Sequence, residues 1–433
     1  MMESAKRRFP FLPAVFCLLS CCLLGIAAPA RAWEEEEERP AWEANTEPEL
    51  PTDAGDSRQE GPVRLARFSL VEGDVTWRGG ETSEWSAASR NLPLRQGAQI
   101  WVADRGRAEI QFDDGSRLRL GHGALITLQT LYSDSEGEFT EITLNDGVVA
   151  LRLQHERSIY QVNTPLVSVK ATGPARLRVG AGDGVEVAVR QGRATVEGSQ
   201  GKATLAEGDY LDLRDADSPL DLRRLPRPDG FDDWVAARDR EIDADWNRVS
   251  RRYLPSNIAL VADDLDDYGT WRNDAEYGYV WCPRVTVVNW RPYHYGRWVW
   301  CNPFGWTWVA DGCDAPWGWA SYHYGTWAYR PYGWAWVPGP VNQYWCPAVV
   351  HFCENAGQVA WVPLAPREVR YPSFLSLGFG GRNWAFYFSI GQAAVYYPWN
   401  ETRWTARPWR SSYCNRVTYV TNVTNIYNNV SSG

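Results

Sequence analysis

Two short aromatic segments decide the fold of the C-terminal half: Tyr324-Gly325-Thr326-Trp327 and Gly333-Trp334-Ala335-Trp336-Val337-Pro338. The pair occurs twice before this point. One earlier copy is Tyr295-Gly296-Arg297-Trp298 with Gly305-Trp306-Thr307-Trp308, and the first is Tyr268-Gly269-Thr270-Trp271 with Gly278-Tyr279-Val280-Trp281. The Tyr-Gly elements are 27 and 29 residues apart, and a partial fourth copy occupies Val359–Pro363. This spacing indicates an internal repeat.

The repeat predicts antiparallel hairpins. In a strand, residues two apart lie on one face, so Trp-x-Trp places both indoles on the same side. A Tyr-Gly-x-Trp strand followed by a Gly-Trp-x-Trp strand forms a hairpin with aromatic cross-strand pairs, each contributing roughly 0.2–1 kcal/mol. Glycine beside these rings leaves room for an indole to lie over bare backbone. We expect an aromatic-rich antiparallel hairpin-repeat domain over residues 265–370.

The preceding segment, residues 62–215, reads as successive strands with period-two alternation. Ala108–Phe112 and Arg117–Leu120 alternate apolar and polar residues on either side of Asp113-Asp114-Gly115-Ser116, which predicts a hairpin. The same logic places a turn at Asn145-Asp146-Gly147 and another at Gln191-Gly192. Turns every 8–12 residues predict a β-sandwich or a β-solenoid.

Six motifs in this segment resemble the periplasmic FecR domain family. They are Val71-Glu72-Gly73-Asp74-Val75, Leu94-x-x-Gly97-Ala98-x-Ile100, Ala108-x-Ile110-x-Phe112-Asp113-Asp114-Gly115-Ser116, Gly147-Val148-Val149, Tyr160-x-Val162-x-Thr164-Pro165 and Val187-x-Val189-x-x-Gly192. The resemblance implies an envelope binding or signalling module. In regulatory members the domain follows a cytoplasmic anti-sigma segment and a transmembrane helix. This chain lacks that arrangement, so we expect it not to regulate a sigma factor directly.

The aromatic repeat resembles a tryptophan-rich bacterial family of unknown function that is often fused behind FecR-like domains. That resemblance implies no activity. Between the two modules, residues 228–253 predict the one connecting α-helix. Its apolar stripe recurs at three- and four-residue steps and is expected to pack on the protein's own sheet. The stripe consists of Phe231, Trp234, Val235, Ile242, Trp246 and Val249.

The N-terminus has the pattern of a secretory signal peptide over residues 1–32: three basic residues, an apolar run, and Ala30-Arg31-Ala32. Two alternatives remain open, namely a lipoprotein acylated at Cys21 and an uncleaved membrane anchor. Residues 33–61, with Glu34 to Glu38 in one run, predict a disordered acidic leader. We therefore expect a periplasmic or secreted bacterial protein with no membrane span after cleavage near Ala32. Residues 371–433 form an aromatic and Asn-rich tail whose role is open.

Charge and cysteine content restrict the classes of function. The 53 acidic residues outnumber the 44 basic ones, which argues against nucleic acid as a partner. An even number of cysteines after export predicts disulfides, with zinc as the competing interpretation, but no Cys-x2-Cys pair occurs. The disulfide candidates are Cys282, Cys301, Cys313, Cys346, Cys353 and Cys414.

The chain has 25 tryptophans, and two interpretations of them compete. In the first they form a structural core. In the second some are exposed as a platform on which sugar rings stack, with Tyr293, Tyr322, His294 and His323 as polar rims. An aromatic cage for cations is a further possibility. The platform candidates are Trp306, Trp308, Trp317, Trp319, Trp334 and Trp336.

No motif in the sequence indicates an enzyme. Phosphate loops, dinucleotide fingerprints and nucleophile elbows are absent, and we expect no catalytic residue, metal or cofactor. The acidic cluster Asp263, Asp264, Asp266 and Asp267 lacks the spacing of a calcium loop and is expected to be a solvated turn. The sequence therefore predicts an interaction or sensory module with an envelope protein as partner. The alternative is binding of cell-wall or extracellular polysaccharide through the repeat. The oligomeric state is open.

Overall fold

A computed structural model gives the fold, and strands dominate the residues that the structure describes. The all-β class predicted from the sequence is confirmed. The described residues are 64–133, 137–245, 249–262, 264–288, 290–301, 305–339, 345–355, 358–366, 376–381, 384–389 and 395–398.

The first module contains seventeen strands in two sheets. These are β1 (Ala66–Glu72), β2 (Val75–Arg78), β3 (Ser86–Ala87), β4 (Pro93–Leu94), β5 (Gln99–Val102), β6 (Arg107–Phe112), β7 (Arg117–Leu120), β8 (Leu125–Ser133), β9 (Glu138–Leu153), β10 (Ser158–Asn163), β11 (Val167–Thr172), β12 (Ala175–Ala181), β13 (Val185–Gln191), β14 (Arg193–Gly198), β15 (Gly201–Ala206), β16 (Asp209–Leu213) and β17 (Arg223–Arg224).

Strand pairing defines the sheets. Sheet I has the order β4-β1-β6-β7-β9-β12-β13-β16-β17. Sheet II has the order β3-β2-β5-β8-β9-β10-β11-β14-β15. All pairs are antiparallel except β9 with β10. The inward-facing aliphatic residues of both sheets form one core, which makes the module a β-sandwich.

The long strand β9 belongs to both sheets. Its first half pairs with β8 and β10, and from Gly147 onward it pairs with β7 and β12. Gly147 has φ of +81°, and a Cβ there would lie 2.4 Å from the Cα of Ala124. The expected turn at Asn145-Asp146-Gly147 is therefore a bend within one continuous strand. The local residues fit either geometry, and the distant partner strands select the bend.

At Gly192 the chain likewise passes from one sheet to the other, so the expected hairpin does not form there. Strand β13 pairs in sheet I, whereas β14 pairs in sheet II. By contrast, the hairpin predicted on either side of Asp113–Ser116 forms as β6 and β7, with Ala108 opposite Leu120.

Four α-helices and two 3-10 helices are described. They are α1 (Gly230–Asp245), α2 (Ser256–Ala259), α3 (Leu265–Tyr268) and α4 (Gly318–His323), with 3-10 turns at Val249–Arg252 and Gly312–Asp314. Within the described residues α1 is much the longest. Residues 246–248, including Trp246 of the expected stripe, lie outside the described part.

Helix α1 docks on sheet I through both apolar and charged contacts. Phe231 packs on Val148 and Ala150 as the apolar stripe predicts and Ile242 is buried, but Val249 lies in the separate 3-10 turn and is exposed. Aspartates of the helix also pair with arginines projecting from the sheet. Asp239 meets Arg119 at 2.8 Å and Arg152 at 3.2 Å.

The centre of this docking surface is the fully buried carboxylate of Glu109. It accepts from Arg117 at 3.0 Å and Arg119 at 2.8 Å within the sheet, and from Arg238 of α1 at 3.1 Å. Burial by itself would raise the pKa of Glu109. The three guanidinium charges outweigh burial and hold that pKa well below its usual range, so the group is ionised at neutral pH.

The second module consists of hairpins. Their strands are β18 (Gly269–Asp274), β19 (Gly278–Pro283), β20 (Gly296–Cys301), β21 (Gly305–Ala310), β22 (Thr326–Arg330), β23 (Gly333–Val337), β24 (Val350–Asn355) and β25 (Gln358–Pro363), followed by β26 (Ser376–Gly381), β27 (Trp384–Ser389) and β28 (Val395–Pro398). The first and third hairpins join in one four-stranded sheet, whereas β20-β21 and β24-β25 are separate ribbons. Within the described residues, the hairpins of the repeat therefore do not form one continuous sheet.

Replacing Glu109 by Gln tests the docking of α1. The change leaves the buried guanidiniums of Arg117 and Arg119 and the part-buried one of Arg238 without their shared carboxylate, and we expect it to lower the free energy of unfolding by about 3–5 kcal/mol in urea titrations. Glu241→Gln is the control, because Glu241 also pairs with Arg238 but its side chain is 62% exposed, and it should cost less than about 1 kcal/mol. Equal losses in the two variants would contradict this account.

Candidate functional site

Each repeat pairs two indoles across its hairpin. Trp271 lies opposite Trp281 in the first copy, Trp298 opposite Trp308 in the second, and Trp327 opposite Trp336 in the third. The second tryptophan of each pair, which is Trp281, Trp308 or Trp336, is at most 1% exposed. The hairpin geometry predicted from the repeat is thus present in the structure.

The glycine of each Tyr-Gly element lies directly under that second indole. A Cβ on Gly269 would stand 2.2 Å from the Trp281 ring, and one on Gly296 would stand 2.6 Å from the Trp308 ring. At Gly325 the distance to the Trp336 indole nitrogen would be 2.8 Å. Atoms do not approach so closely, so the indole occupies the volume that any larger residue would need.

Backbone carbonyls satisfy several of these buried indoles. The N–H of Trp281 donates to Leu265 O at 2.9 Å, and the N–H of Trp336 donates to Tyr324 O at 2.8 Å. In the fourth hairpin the N–H of Trp361 donates to Tyr293 O at 2.9 Å. Buried indoles need such acceptors, and these bonds hold each ring in one orientation.

The structure places the proposed sugar-binding indoles in the interior. Trp308, Trp317, Trp319, Trp334 and Trp336 are all 7% exposed or less. The side chain of Trp306 lies outside the described part. The five described candidates form core, so they do not provide the row of exposed indoles that the glycan hypothesis requires. The reason is that neighbouring hairpins, α4 and the segment before β24 cover the face on which the repeat aligns them.

Most of the residues that were expected to form a polar rim around the sugar site also lie in the interior. Tyr293 and Tyr322 are buried, and Tyr293 donates to Tyr322 O at 2.7 Å. The Nδ1–H of His323 donates to Cys346 O at 2.7 Å, and burial lowers the pKa of His323 to about 3, so the ring is neutral. His294 is half-buried against the ring of Tyr295.

A carboxyl group lies within the aromatic core. Asp314 is fully buried and accepts from the Trp290 N–H at 2.9 Å and from the Tyr322 hydroxyl. The Cys313 thiol also contacts it at 3.3 Å. Burial raises the pKa of Asp314 to about 7, although its hydrogen bonds act in the opposite direction. The group therefore changes charge near neutral pH without contact with solvent.

The disulfide prediction does not hold for three of the described cysteines. Cys282, Cys301 and Cys313 are free thiols, distributed over different hairpins and turns of the module. Burial raises the pKa of Cys301 to about 11 and that of Cys313 to about 12, so both are protonated and unreactive. The side chain of Cys353 and the whole of Cys414 lie outside the described part.

The acidic cluster before the first repeat serves the structure. Asp266 accepts from both the backbone and the hydroxyl of Ser250, and Asp264 pairs with Arg90 at 2.8 Å. Asp263 lies outside the described residues. Among the residues that the structure describes, no group of three His, Cys, Asp or Glu side chains is placed to hold a metal ion.

The structure shows an exposed aromatic patch that sequence reasoning missed. Trp85 and Trp101 are 40% and 45% exposed. In sheet II, Val75 lies opposite Val102 and both face the core, so the alternating Arg78 and Trp101 face outward. The Arg78 guanidinium lies over the Trp85 ring at 5.0 Å, which places Trp85 on this outward face. We name Arg78, Trp85 and Trp101 the outer patch.

The two modules share a packed junction. Val299, Cys301 and Val309 of the second hairpin belong to the same apolar cluster as the sandwich core. Polar contacts reinforce this packing: the Asn91 side chain donates to Ala315 O at 2.7 Å, and the Gln111 side chain donates to Leu260 O at 3.0 Å. The sandwich and the aromatic module thus complete one another's interiors.

Comparison with known families agrees with both resemblances. Residues 98–195 match the family model described as FecR protein, and residues 262–368 match a family of unknown function, DUF6600. This chain joins a FecR domain to a DUF6600 domain. The FecR match begins just before β5 and ends in β14, within the two-sheet sandwich.

Among solved structures, two crystal structures of a "putative anti-sigma factor" from Parabacteroides distasonis, at 1.65 and 2.50 Å, resemble part of the chain. Each is 18% identical with a TM-score of 0.26, and the alignment covers 29% of this chain and 59% of that protein. At that level the likeness carries no functional argument. No curated protein matches the chain. Within the described residues, no helix is both long and apolar enough to cross a membrane.

Adding one methyl group under the indoles tests the packing of the repeat. We expect Gly269→Ala and Gly325→Ala each to lower the free energy of unfolding by about 2 kcal/mol or more. The methyl group overlaps the Trp281 ring in the first variant, and in the second it overlaps the Val337 carbonyl oxygen and the Trp336 indole at a residue with φ of +62°. Gly333→Ala is a weaker control, since nothing lies within 4 Å of its Cβ position although its φ is +108°. Urea unfolding monitored by circular dichroism measures the difference. If all three variants lost equal stability, backbone strain rather than ring contact would be the cause.

The buried carboxyl of Asp314 predicts a pH dependence of stability. Its raised pKa means that the protonated form favours folding, so this contribution is complete below about pH 4 and is lost as the pH rises through about 7. Asp314→Asn keeps a neutral group at the site. Its stability relative to wild type should rise by about 2 kcal/mol between pH 5 and pH 8. A difference between Asp314→Asn and wild type that stays flat over this pH range would contradict the prediction.

Proposed function

We propose that this chain is a non-catalytic exported envelope protein. In this proposal the FecR domain and the DUF6600 domain work as one sensory or interaction unit that acts through protein contacts, without direct control of a sigma factor. The FecR match supports the envelope assignment. The shared junction supports a single unit, because a force or ligand applied to one module is transmitted to the other through a common core.

The observation that carries the proposal is the outer patch on the FecR domain. Tryptophan and arginine are the residue types most enriched where protein interfaces concentrate their binding energy. Here two exposed indoles and one guanidinium share the outward face of a sheet. Rigid strands hold this face, so little conformational entropy is lost when a partner docks.

The alternative is recognition of cell-wall or extracellular polysaccharide. One observation favours it, at residues other than the Trp-x-Trp indoles. Tyr253 and Tyr279 stack at 3.9 Å, with Trp271 at 5.2 Å from Tyr253, and Tyr279 is 46% exposed. The N–H of Trp271 donates to the Ser250 hydroxyl at 2.7 Å, which fixes the indole at the surface. Exposed, oriented rings of this kind suit stacking on sugars.

Site-specific photocrosslinking in intact cells tests the proposal. A benzophenone amino acid replacing Trp101 should give a discrete crosslinked protein band, and Trp101→Ala should weaken the crosslink formed from position 85. The same probe at Tyr332, which is 41% exposed on the other module, is the control and should give no such band.

Co-sedimentation of the purified chain with cell-wall sacculi and insoluble polysaccharides separates the two functions. The proposal predicts that the chain remains in the supernatant. If the chain pellets, if Tyr279→Ala abolishes pelleting, and if no crosslink forms at Trp101, then the glycan function replaces the one proposed here.

A further inference from the structure

A polar cavity lies where the FecR domain, helix α1 and the start of the DUF6600 domain meet. Its volume is about 320 Å³, near the lower end of the range for small-ligand sites. Strand β1 contributes Arg67 and Ser69, β7 contributes Arg117, and α1 contributes Arg238. Arg90, which precedes β4, completes the basic lining.

The arginines of this lining are held in place before any ligand arrives. Arg67 is 2% exposed and donates to the side-chain oxygens of Gln111 at 2.8 Å and Asn91 at 2.6 Å. Its guanidinium also lies over the Trp319 ring at 5.4 Å. Arg117 is 4% exposed and bonds to Glu109. Guanidiniums fixed in this way bind with little loss of side-chain entropy.

The donors in this lining match an oxyanion. A guanidinium offers five N–H donors and no acceptor, whereas the Ser69 hydroxyl already donates to Glu109 at 2.9 Å. Arginine clusters of this kind bind carboxylate and phosphate groups through paired N–H···O bonds.

The carboxylates that line the cavity compete with an incoming anion for the arginines, so they weaken the binding of the anion without preventing it. Glu241 pairs with Arg238, and Asp264 pairs with Arg90 at 2.8 Å. Both arginines are partly exposed, so an incoming anion competes for them without a large desolvation cost. Asp267 also lines the cavity and disfavours highly charged polyanions. The fitting ligand is therefore small and carries one or two negative charges.

We infer that this junction cavity binds a small metabolite through a carboxylate or phosphate group, with Arg67, Arg117 and Arg238 as the principal contacts. A ligand there touches the FecR domain, α1 and the segment that enters the aromatic repeat. Its occupancy is therefore coupled to the stability of the junction. The inference is independent of the proposed protein partner.

Isothermal titration calorimetry on the purified full chain tests the inference, with orthophosphate and acetate as separate probes at constant ionic strength. We expect saturable binding of at least one probe. Arg67→Gln and Arg238→Gln should each weaken that binding about tenfold or more. Arg190→Gln is the matched control, because Arg190 is ion-paired with Asp232 and has similar exposure but lies away from the cavity; it should bind as wild type does.

The probes also separate the two sources of the oxyanion. Binding of orthophosphate alone indicates a phosphate ester, and binding of acetate alone indicates a carboxylic acid. If Arg67→Gln fails to fold by circular dichroism, Arg238→Gln and Arg90→Gln decide the result. Absence of saturable heat with both probes, or an equal loss in Arg190→Gln, would overturn the inference.

Discussion

The packing of an indole over bare glycine backbone is the constraint on which the aromatic module depends. Each second tryptophan lies on the glycine of its Tyr-Gly element, at distances that leave no room for a Cβ. The contact fixes hairpin register, ring orientation and the side of the strand that becomes interior. Because bulky rings replace the usual aliphatic core, buried indole N–H groups need acceptors. Backbone carbonyls accept from Trp281, Trp336 and Trp361, whereas the N–H of Trp308 has no hydrogen-bond partner among the described residues.

Ion pairs between the sandwich and helix α1 fix the position of the helix on sheet I. One buried carboxylate, Glu109, holds three guanidiniums, and the aspartates of α1 pair with further arginines of sheet I. Ion pairs with fixed geometry require complementary groups on both surfaces, so they determine where the helix docks more strictly than an apolar stripe would. The junction cavity lies beside this network and shares Arg117 and Arg238 with it.

The alternation of apolar and polar residues predicted where strands form, but it predicted poorly which strands pair with one another. The predicted hairpins form around Asp113–Ser116 and within each aromatic repeat. In each of them the two strands and the turn lie close together in the chain. At Gly147 the same local residues accommodate a bend within one strand, since β8, β10 and β12 compete for pairing with β9. The disulfide prediction rested on counting cysteines, and a count holds no information about distance.

The sequence by itself determined the two β modules and the need for glycine beneath tryptophan, because these follow from short-range alternation and spacing. Only the tertiary structure decided which aromatic faces are covered. Trp-x-Trp places two indoles on one face of a strand whether that face meets solvent or another hairpin. Here the other hairpins bury it, while Trp85 and Trp101 remain exposed on the opposite module. Solvent exposure depends on contacts between distant segments, which local patterns do not encode.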